Sequence, residues 1–452
     1  MQRRDWLRTM AAAAVAGPPR AIASAREVLG QAPASAGLRG PARFGDGRDW
    51  FFQKRFGLFV HWGLYAIPGW HEQHMYRLGW TRDQYRPLLQ QFNPRRFDPA
   101  RWVEMAESAG MEYLCVTSKH IDGFCMWDTR ETSFNVMHTP YRKDVIRQIA
   151  EACHRRAMPF EFYYSVVDEW HPNYPNTGRP YEFKSTQPGD QPDLPRYVEY
   201  MKRQIRELCT DYGEIHGVWF DGNVLKYRDP SFREMIHSLQ PKAVINNRGF
   251  DEGDYDTPER DYDKSADSKI VFDKPVEACE SVGYQSWGYR KDEDYYLPEY
   301  LIRSMHKVMA RGGNYLLNAG PTADGDFPRE SLDLLARVGR WYRTVKESLV
   351  DVGPGPRLSD APNVITTQRT NIIYVHLLSP LATSSVFLHP LDRMPVEAVL
   401  MNTGQRLACD VAALPRLFNR KPPRCLRLRG LPADTGSATG WVVRLRYPAG
   451  AR

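Results

Sequence analysis

The run Gly217-Val218-Trp219-Phe220-Asp221-Gly222 is oily until it ends in a bare acid. It is too short for a helix, and its bulky and β-branched members suit a strand enclosed on both faces. A carboxylate at the end of such a strand either caps the following turn or is placed for chemistry. The pattern recurs: His61, His120, Tyr164, Asn247 with Arg248, and Asn318 each fall at or near the end of a similar run. Six polar strand ends in succession, including two histidines and an acid, exceed what turn capping requires. Two chemistries could use them. In one, His61, His120 and Asp221, with His71 or His74, bind a metal that activates water. In the other, Asp221 attacks the anomeric carbon of a sugar and a second carboxyl serves as acid/base. His71-x-x-His74 lacks the paired spacing common at metal sites. Trp62, Trp70, Trp127, Trp170, Trp219 and Trp287 lie at or not far past strand ends and offer flat faces to a sugar, which favours the second chemistry.

The elements that must position these groups follow a repeated grammar. Helical patterns over 101–109, 144–157, 196–212, 232–239 and 301–310 alternate with strand-like runs at 56–63, 113–117, 160–165, 217–221, 243–248 and 314–320. Repeated β-then-α units of roughly 40 residues indicate a parallel sheet with right-handed crossovers. Enough of them occur between 46 and 350 for a (β/α)8 TIM-like barrel, whose C-terminal face would gather all six strand ends. An open doubly wound sheet is the alternative; its dinucleotide-binding form needs a glycine-rich turn after the first strand, and none is present. Beyond Pro354-Gly355-Pro356 the pattern changes to short strands near 364–367, 372–378, 386–389, 396–400, 425–428 and 441–447. Residues 357–452 therefore read as an antiparallel β-sandwich domain without a catalytic cluster.

Composition bounds the rest. The chain has 452 residues, 42% hydrophobic and 25% charged, the balance of a soluble globular protein. Its net charge is +7, and the four arginines and one acid among residues 1–25 supply part of that surplus. No basic block interleaved with aromatics marks a nucleic-acid surface. Arg3-Arg4-Asp5-Trp6-Leu7-Arg8, followed by a small apolar run and Ala21-Ile22-Ala23-Ser24-Ala25, reads as a twin-arginine-type signal peptide over 1–25. It implies export to the periplasm or beyond, with 26–45 as an Ala/Gly/Pro-rich tether. No later apolar run approaches the roughly 20 residues of a membrane span. The seven cysteines are scattered, with no CxxC and an odd count, so no disulfide framework is expected.

Several segments together resemble one family. Arg55-Phe56-Gly57-Leu58-Phe59-Val60-His61-Trp62-Gly63, Lys119-His120-Ile121-Asp122-Gly123-Phe124, Val218-Trp219-Phe220-Asp221-Gly222, Asn246-Asn247-Arg248, Ser286-Trp287-Gly288-Tyr289 and the 312–321 run are similar to the family 29 glycoside hydrolases, the α-L-fucosidases. The resemblance spans about 50 to 345 and implies retaining, double-displacement hydrolysis of α-L-fucosides without a cofactor or metal. The implied partner is a fucosylated oligosaccharide or glycoconjugate. On that resemblance Asp221 matches the nucleophile. His61, His120, Trp219 and Arg248 match groups that hold the sugar, Tyr164 and Glu72 match less closely, and Trp287 is expected to wall the sugar's methyl group. The acid/base falls on a variable loop, with Glu259 expected first and Glu277 second. Two positions depart from the family pattern: Ile121 stands where a second histidine is common, and Glu72-Gln73-His74 stands where Glu-Trp is common. A metal-dependent barrel hydrolase and a non-catalytic fucoside-binding protein remain the alternatives.

Overall fold

A computed structural model of the chain describes residues 39–260, 271–389, 393–413, 424–433 and 440–448. The expected signal peptide and most of the expected tether lie outside them. Seven parallel strands form one sheet: β1 Phe56–Val60, β2 Tyr113–Lys119, β3 Phe160–Ser165, β4 Gly217–Asp221, β5 Val244–Ile245, β6 Glu277–Ser281 and β7 Asn314–Ala319. Their order is β5-β4-β3-β2-β1-β7-β6. Six helices follow strands in the expected alternation: α1 Pro99–Ser108, α2 Val145–Arg155, α3 Leu194–Thr210, α4 Ser231–Leu239, α5 Pro298–Met309 and α6 Arg329–Val345. Asp98, Asp144 and Asp193 cap the first three, each side chain accepting from backbone N–H groups of the first turn. Beneath the helices the outward side chains Leu58, Val60, Leu114, Val116, Phe162 and Phe220 are buried against helix residues such as Val103, Ile146, Ile149 and Ile205. The inward ones, including Phe59, Tyr113, Cys115, Tyr163, Trp219 and Leu316, form a separate aromatic core. Both faces are covered, which is why these strands read as continuous apolar runs.

The sheet differs from the expectation in two ways. The strand expected over 243–248 is only Val244–Ile245. Asn246 ends it because its side-chain amide takes over the pairing with β4, accepting from Phe220 N–H at 2.9 Å and donating to Phe220 C=O at 2.9 Å. Among the described residues between β5 and β6 no full strand intervenes; residues 255–259 make isolated parallel bridges, Asn246 with Tyr255, Asp256 with Val276, and Glu259 with Cys279. Thus, among the described residues, the parallel sheet has seven regular strands rather than eight, and residues 255–259 bridge irregularly to both of its edges.

Downstream, antiparallel pairing replaces parallel. One sheet has the order β13-β12-β16-β10-β9-β8 and another β11-β15-β14. Its strands are β8 Gly353–Pro354, β9 Val364–Arg369, β10 Ile372–Leu377, β11 Ser385–Leu388, β12 Glu397–Leu400, β13 Gln405–Arg406, β14 Ala408–Ala413, β15 Arg424–Arg429 and β16 Trp441–Arg446. Val375 and Val443 of the larger sheet share one apolar core with Leu388, Leu426 and Leu428 of the smaller. Against the helices of the first region, Trp341 Nε1 donates to Gly440 C=O at 2.9 Å and His306 meets His376 at 3.0 Å.

Candidate active site

Strand alternation decides which side chains meet at the C-terminal ends of the sheet. Phe59 of β1 and His61 just past its end, Tyr163 of β3, Trp219 and Asp221 of β4, and Cys279 of β6 all face a pocket of about 220 Å³. Loops add Glu72, Gln73, His120, Ile121, Arg248, Glu259 and Trp287. The loop after β5 brings in the second carboxyl, and backbone bonds on both sides of Glu259 staple it to β6: Cys279 N–H donates to Pro258 C=O at 3.1 Å, and Arg260 N–H to Cys279 C=O at 3.3 Å.

One guanidinium organises the two acids. Arg248 Nη1 donates to Asp221 Oδ1 at 3.1 Å and to Glu259 Oε2 at 2.8 Å. Those two oxygens are therefore at most about 6 Å apart, which accommodates the roughly 5–5.5 Å of a retaining pair. Arg248 Nη2 also donates to Thr257 C=O at 3.0 Å, and its guanidinium lies 4.9 Å over the Trp219 ring. Burial opposes its charge, but Asp221 and Glu259 outweigh burial and raise the guanidinium above its ordinary range. On the other side Tyr163 Oη donates to Asp221 Oδ2 at 3.0 Å. Asp221 thus keeps a fixed orientation between a cation and a phenol.

Burial favours the neutral form of both pocket histidines, His61 and His120. Burial lowers both, bringing His120 to about 3. A neutral ring offers one donor and one acceptor, which suits a substrate hydroxyl. His61 Nδ1 pairs with Asn318 Oδ1 at 2.8 Å, and Asn318 Nδ2 donates in turn to Trp287 C=O at 2.7 Å. His120 stacks on Tyr163 with ring centres 5.5 Å apart. Glu72 is buried, and its Oε2 accepts from Ser286 Oγ at 2.8 Å, Trp287 N–H at 2.8 Å and Gly288 N–H at 3.2 Å. Burial alone would raise Glu72, but His71, His120, His61 and backbone donation bring it down to about 2. It pins the turn that carries Trp287, whose ring sits 5.4 Å from His61.

Two expected positions fall elsewhere. Tyr164 is one residue out of phase. Its ring points outward to the helix layer and its Oη donates to Gln204 Oε1 of α3 at 2.7 Å, so the phenol at Asp221 is Tyr163. Glu277 lies within the sheet's interior rather than in the pocket lining. Its Oε2 accepts from Tyr113 Oη at 2.6 Å and its Oε1 from Trp219 Nε1 at 3.1 Å. Ile121 and Gln73 line the pocket at the two positions that depart from the family pattern. Among the described residues, no group of three or more His, Cys, Asp or Glu side chains is arranged to hold a metal ion. Sequence reading missed Tyr163, Cys279 and Ser286.

With this geometry in view, a family model described as Alpha-L-fucosidase matches residues 45–347. The chain belongs to the alpha-L-fucosidase family. It is accordingly a glycoside hydrolase. Among curated relatives of this alpha-L-fucosidase family member, the tissue alpha-L-fucosidase of Rattus norvegicus is 25% identical over 376 residues, 75% of this chain and 76% of that protein. Alpha-L-fucosidase isoenzyme 1 from Paenibacillus thiaminolyticus superposes with a TM-score of 0.75 at 30% identity, covering 89% of this chain and 98% of that one. A GH29 alpha-L-fucosidase from Bacteroides thetaiotaomicron, trapped as a covalent intermediate with 2-fluoro-fucosyl fluoride, superposes with a TM-score of 0.74 at 25% identity over 92% and 98% of the two chains. No helix among the described residues is long and apolar enough to cross a membrane.

Proposed function

We propose that the chain hydrolyses terminal α-L-fucosyl residues of oligosaccharides or glycoconjugates with retention of anomeric configuration, using Asp221 as nucleophile and Glu259 as acid/base. The observation that carries this assignment is the single Arg248 Nη1 bonded to both carboxylates inside one pocket. In the first step an Asp221 oxygen forms a bond to the anomeric carbon while the glycosidic C–O bond breaks. Glu259, protonated in the substrate complex, gives its proton to the departing oxygen. Water then attacks the same carbon, Glu259 takes a proton from it, and Asp221 leaves as carboxylate. Tyr163 and Arg248 hold Asp221 in line with that carbon. His61, His120 and Trp219 bind the sugar, and Trp287, oriented by Glu72, walls it.

We also read the 255–259 segment as completing a closed barrel, and the two antiparallel sheets as a sandwich, because they bridge both sheet edges and share one core respectively. Residues 1–25 are proposed to direct export. An aryl α-L-fucoside tests the central reading: wild type turns it over without metal but leaves the matching β-D-galactoside intact, and NMR sees the α-anomer of fucose first. Asp221→Ala stays folded and loses about 10⁴-fold or more in kcat, with activity partly rescued by azide. Turnover like wild type in that variant overturns the assignment; fucoside binding without turnover by wild type favours a binding protein.

A further inference from the structure

Of the described residues lining the pocket, only Glu259 and Tyr181 are exposed, so these two stand at its mouth. About 220 Å³ suits one monosaccharide. A leaving group, which must lie beside the acid/base, therefore meets whatever else stands at that opening. Tyr181 is 45% exposed, and the aromatic ring near it is Tyr76, with centres 6.2 Å apart. Nearly half of its surface is open to solvent. Its backbone is left-handed at φ 68°, a conformation unfavourable for a non-glycine residue that persists only where the surroundings impose it.

The surroundings do impose it. The next residue, Glu182, is buried, and its Oε1 accepts from Tyr174 Oη at 2.6 Å and Arg179 Nε at 2.7 Å. Its Oε2 accepts from Thr177 N–H at 3.0 Å and Arg179 N–H at 2.9 Å. Phe183 beyond it is buried as well. The loop is anchored from beneath, while Tyr181 stays exposed and lines the same pocket as Asp221 and Glu259. A pyranose presents an apolar C–H face that packs flat on such a ring, and a ring ordered in advance gives up little entropy on binding.

We propose that Tyr181 is the stacking platform for the leaving-group sugar, making the enzyme selective for fucose joined to another pyranose. This rests on the fucosidase reading above. The test compares two substrates: α-L-fucosyl fluoride, whose leaving group has no ring to stack, and an α-L-fucosyl-(1→2)-galactose disaccharide. Both form the same fucosyl-enzyme, so kcat/KM isolates what the leaving group contributes.

Two variants separate ring from backbone. Tyr181→Gly removes the ring where glycine is at ease with the left-handed backbone; Tyr181→Phe keeps the ring. The expected result is a loss of about 5- to 10-fold in kcat/KM for the disaccharide in Tyr181→Gly, of the size one aromatic contact supplies. Fluoride hydrolysis stays within twofold of wild type, and Tyr181→Phe stays close to wild type on both. Equal losses on both substrates, or no loss on the disaccharide, overturn the proposal. Failure of wild type to hydrolyse the fluoride overturns the fucosidase reading instead.

Discussion

The interior of the parallel sheet holds two pairs of carboxyls a short distance apart, and they are treated in opposite ways. At the C-terminal end, Asp221 and Glu259 are each about a third exposed and share Arg248. Deeper in, Glu161 and Glu277 are fully buried; among the described residues no cation is bonded to either, and both Glu161 oxygens lack a hydrogen-bond partner. Burial pushes Glu277 up to about 7, while burial and the neighbouring Glu277 raise Glu161 well above the carboxylate range. The upper pair is held by a cation and stays partly exposed, whereas burial favours the protonated form of the lower pair, which packs inside the sheet. Trp219 divides the two layers, turning its face to Arg248 and its N–H down to Glu277. Glycine makes room below: a Cβ on Gly217 would come 2.5 Å from Glu161 Oε1.

The sharpest break of this contrast exchanges the two glutamates. Glu259→Ala is expected to lose about 10²–10⁴-fold in kcat/KM on substrates with poor leaving groups, while α-L-fucosyl fluoride, which needs no protonation, changes little. Glu277→Gln keeps an oxygen that accepts from Trp219 Nε1 and turns its amide NH2 to Tyr113 Oη, which accepts it, so its kinetics stay within about threefold of wild type on both substrates. A leaving-group-dependent collapse in Glu277→Gln, with Glu259→Ala unaffected, reverses the roles assigned to the two layers.

That contrast also separates what could be read from the chain. The upper layer was legible because its chemistry sits at strand ends, where a polar residue interrupts an apolar run: Asp221, His61 and Arg248 all announce themselves so. The lower layer was not. β6, Glu277-Ala278-Cys279-Glu280-Ser281, carries acids at positions 277 and 280 and reads as a polar loop, yet all five residues are buried. Only hydrogen bonds from distant Tyr113 and Trp219 reconcile Glu277 with burial, and no local pattern contains them. Tyr164 failed for another reason. β3 is aromatic on both faces, Phe160-Glu161-Phe162-Tyr163-Tyr164-Ser165, so a period of two cannot tell inside from outside. The irregular bridge at 255–259 was equally hidden, since Tyr255, Asp256 and Glu259 show no strand alternation.

Titration should distinguish the layers without reference to activity. Glu277 is raised in the folded state from 4.5 to about 7. The native state therefore holds more protons than the unfolded chain across that window, and stability falls as pH rises from about 4.5 to 7. The neutral histidines act in the opposite sense. His120, lowered from 6.5 to about 3, leaves the unfolded chain with more protons, so stability falls as pH drops through that range. Glu277→Gln removes the first contribution and keeps the second. Urea midpoints at pH 4.5, 6 and 7.5 should show the variant gaining on wild type as pH rises, by up to a few kcal/mol. Because Glu161 titrates with Glu277 as a pair, the gain is shared between them. Parallel curves for the two proteins would mean that the lower pair is ionised and compensated after all.

The smallest test uses neighbours on one strand. Tyr163 and Tyr164 are adjacent, both buried, and each makes one phenolic hydrogen bond, to Asp221 at 3.0 Å and to Gln204 at 2.7 Å. Replacing either by Phe deletes one hydroxyl and leaves one acceptor without that donor, so each should cost about 1 kcal/mol of stability. Their kinetics should part. Tyr163→Phe removes a donor that holds the attacking carboxylate, and kcat is expected to fall about tenfold with KM nearly unchanged, the pattern of an interaction that matters in the transition state. Tyr164→Phe touches only the helix layer and should leave kcat and KM within error of wild type. If Tyr164→Phe slows turnover as much as Tyr163→Phe, the two sheet faces are coupled, and separation of a reactive interior from a structural exterior does not hold at β3.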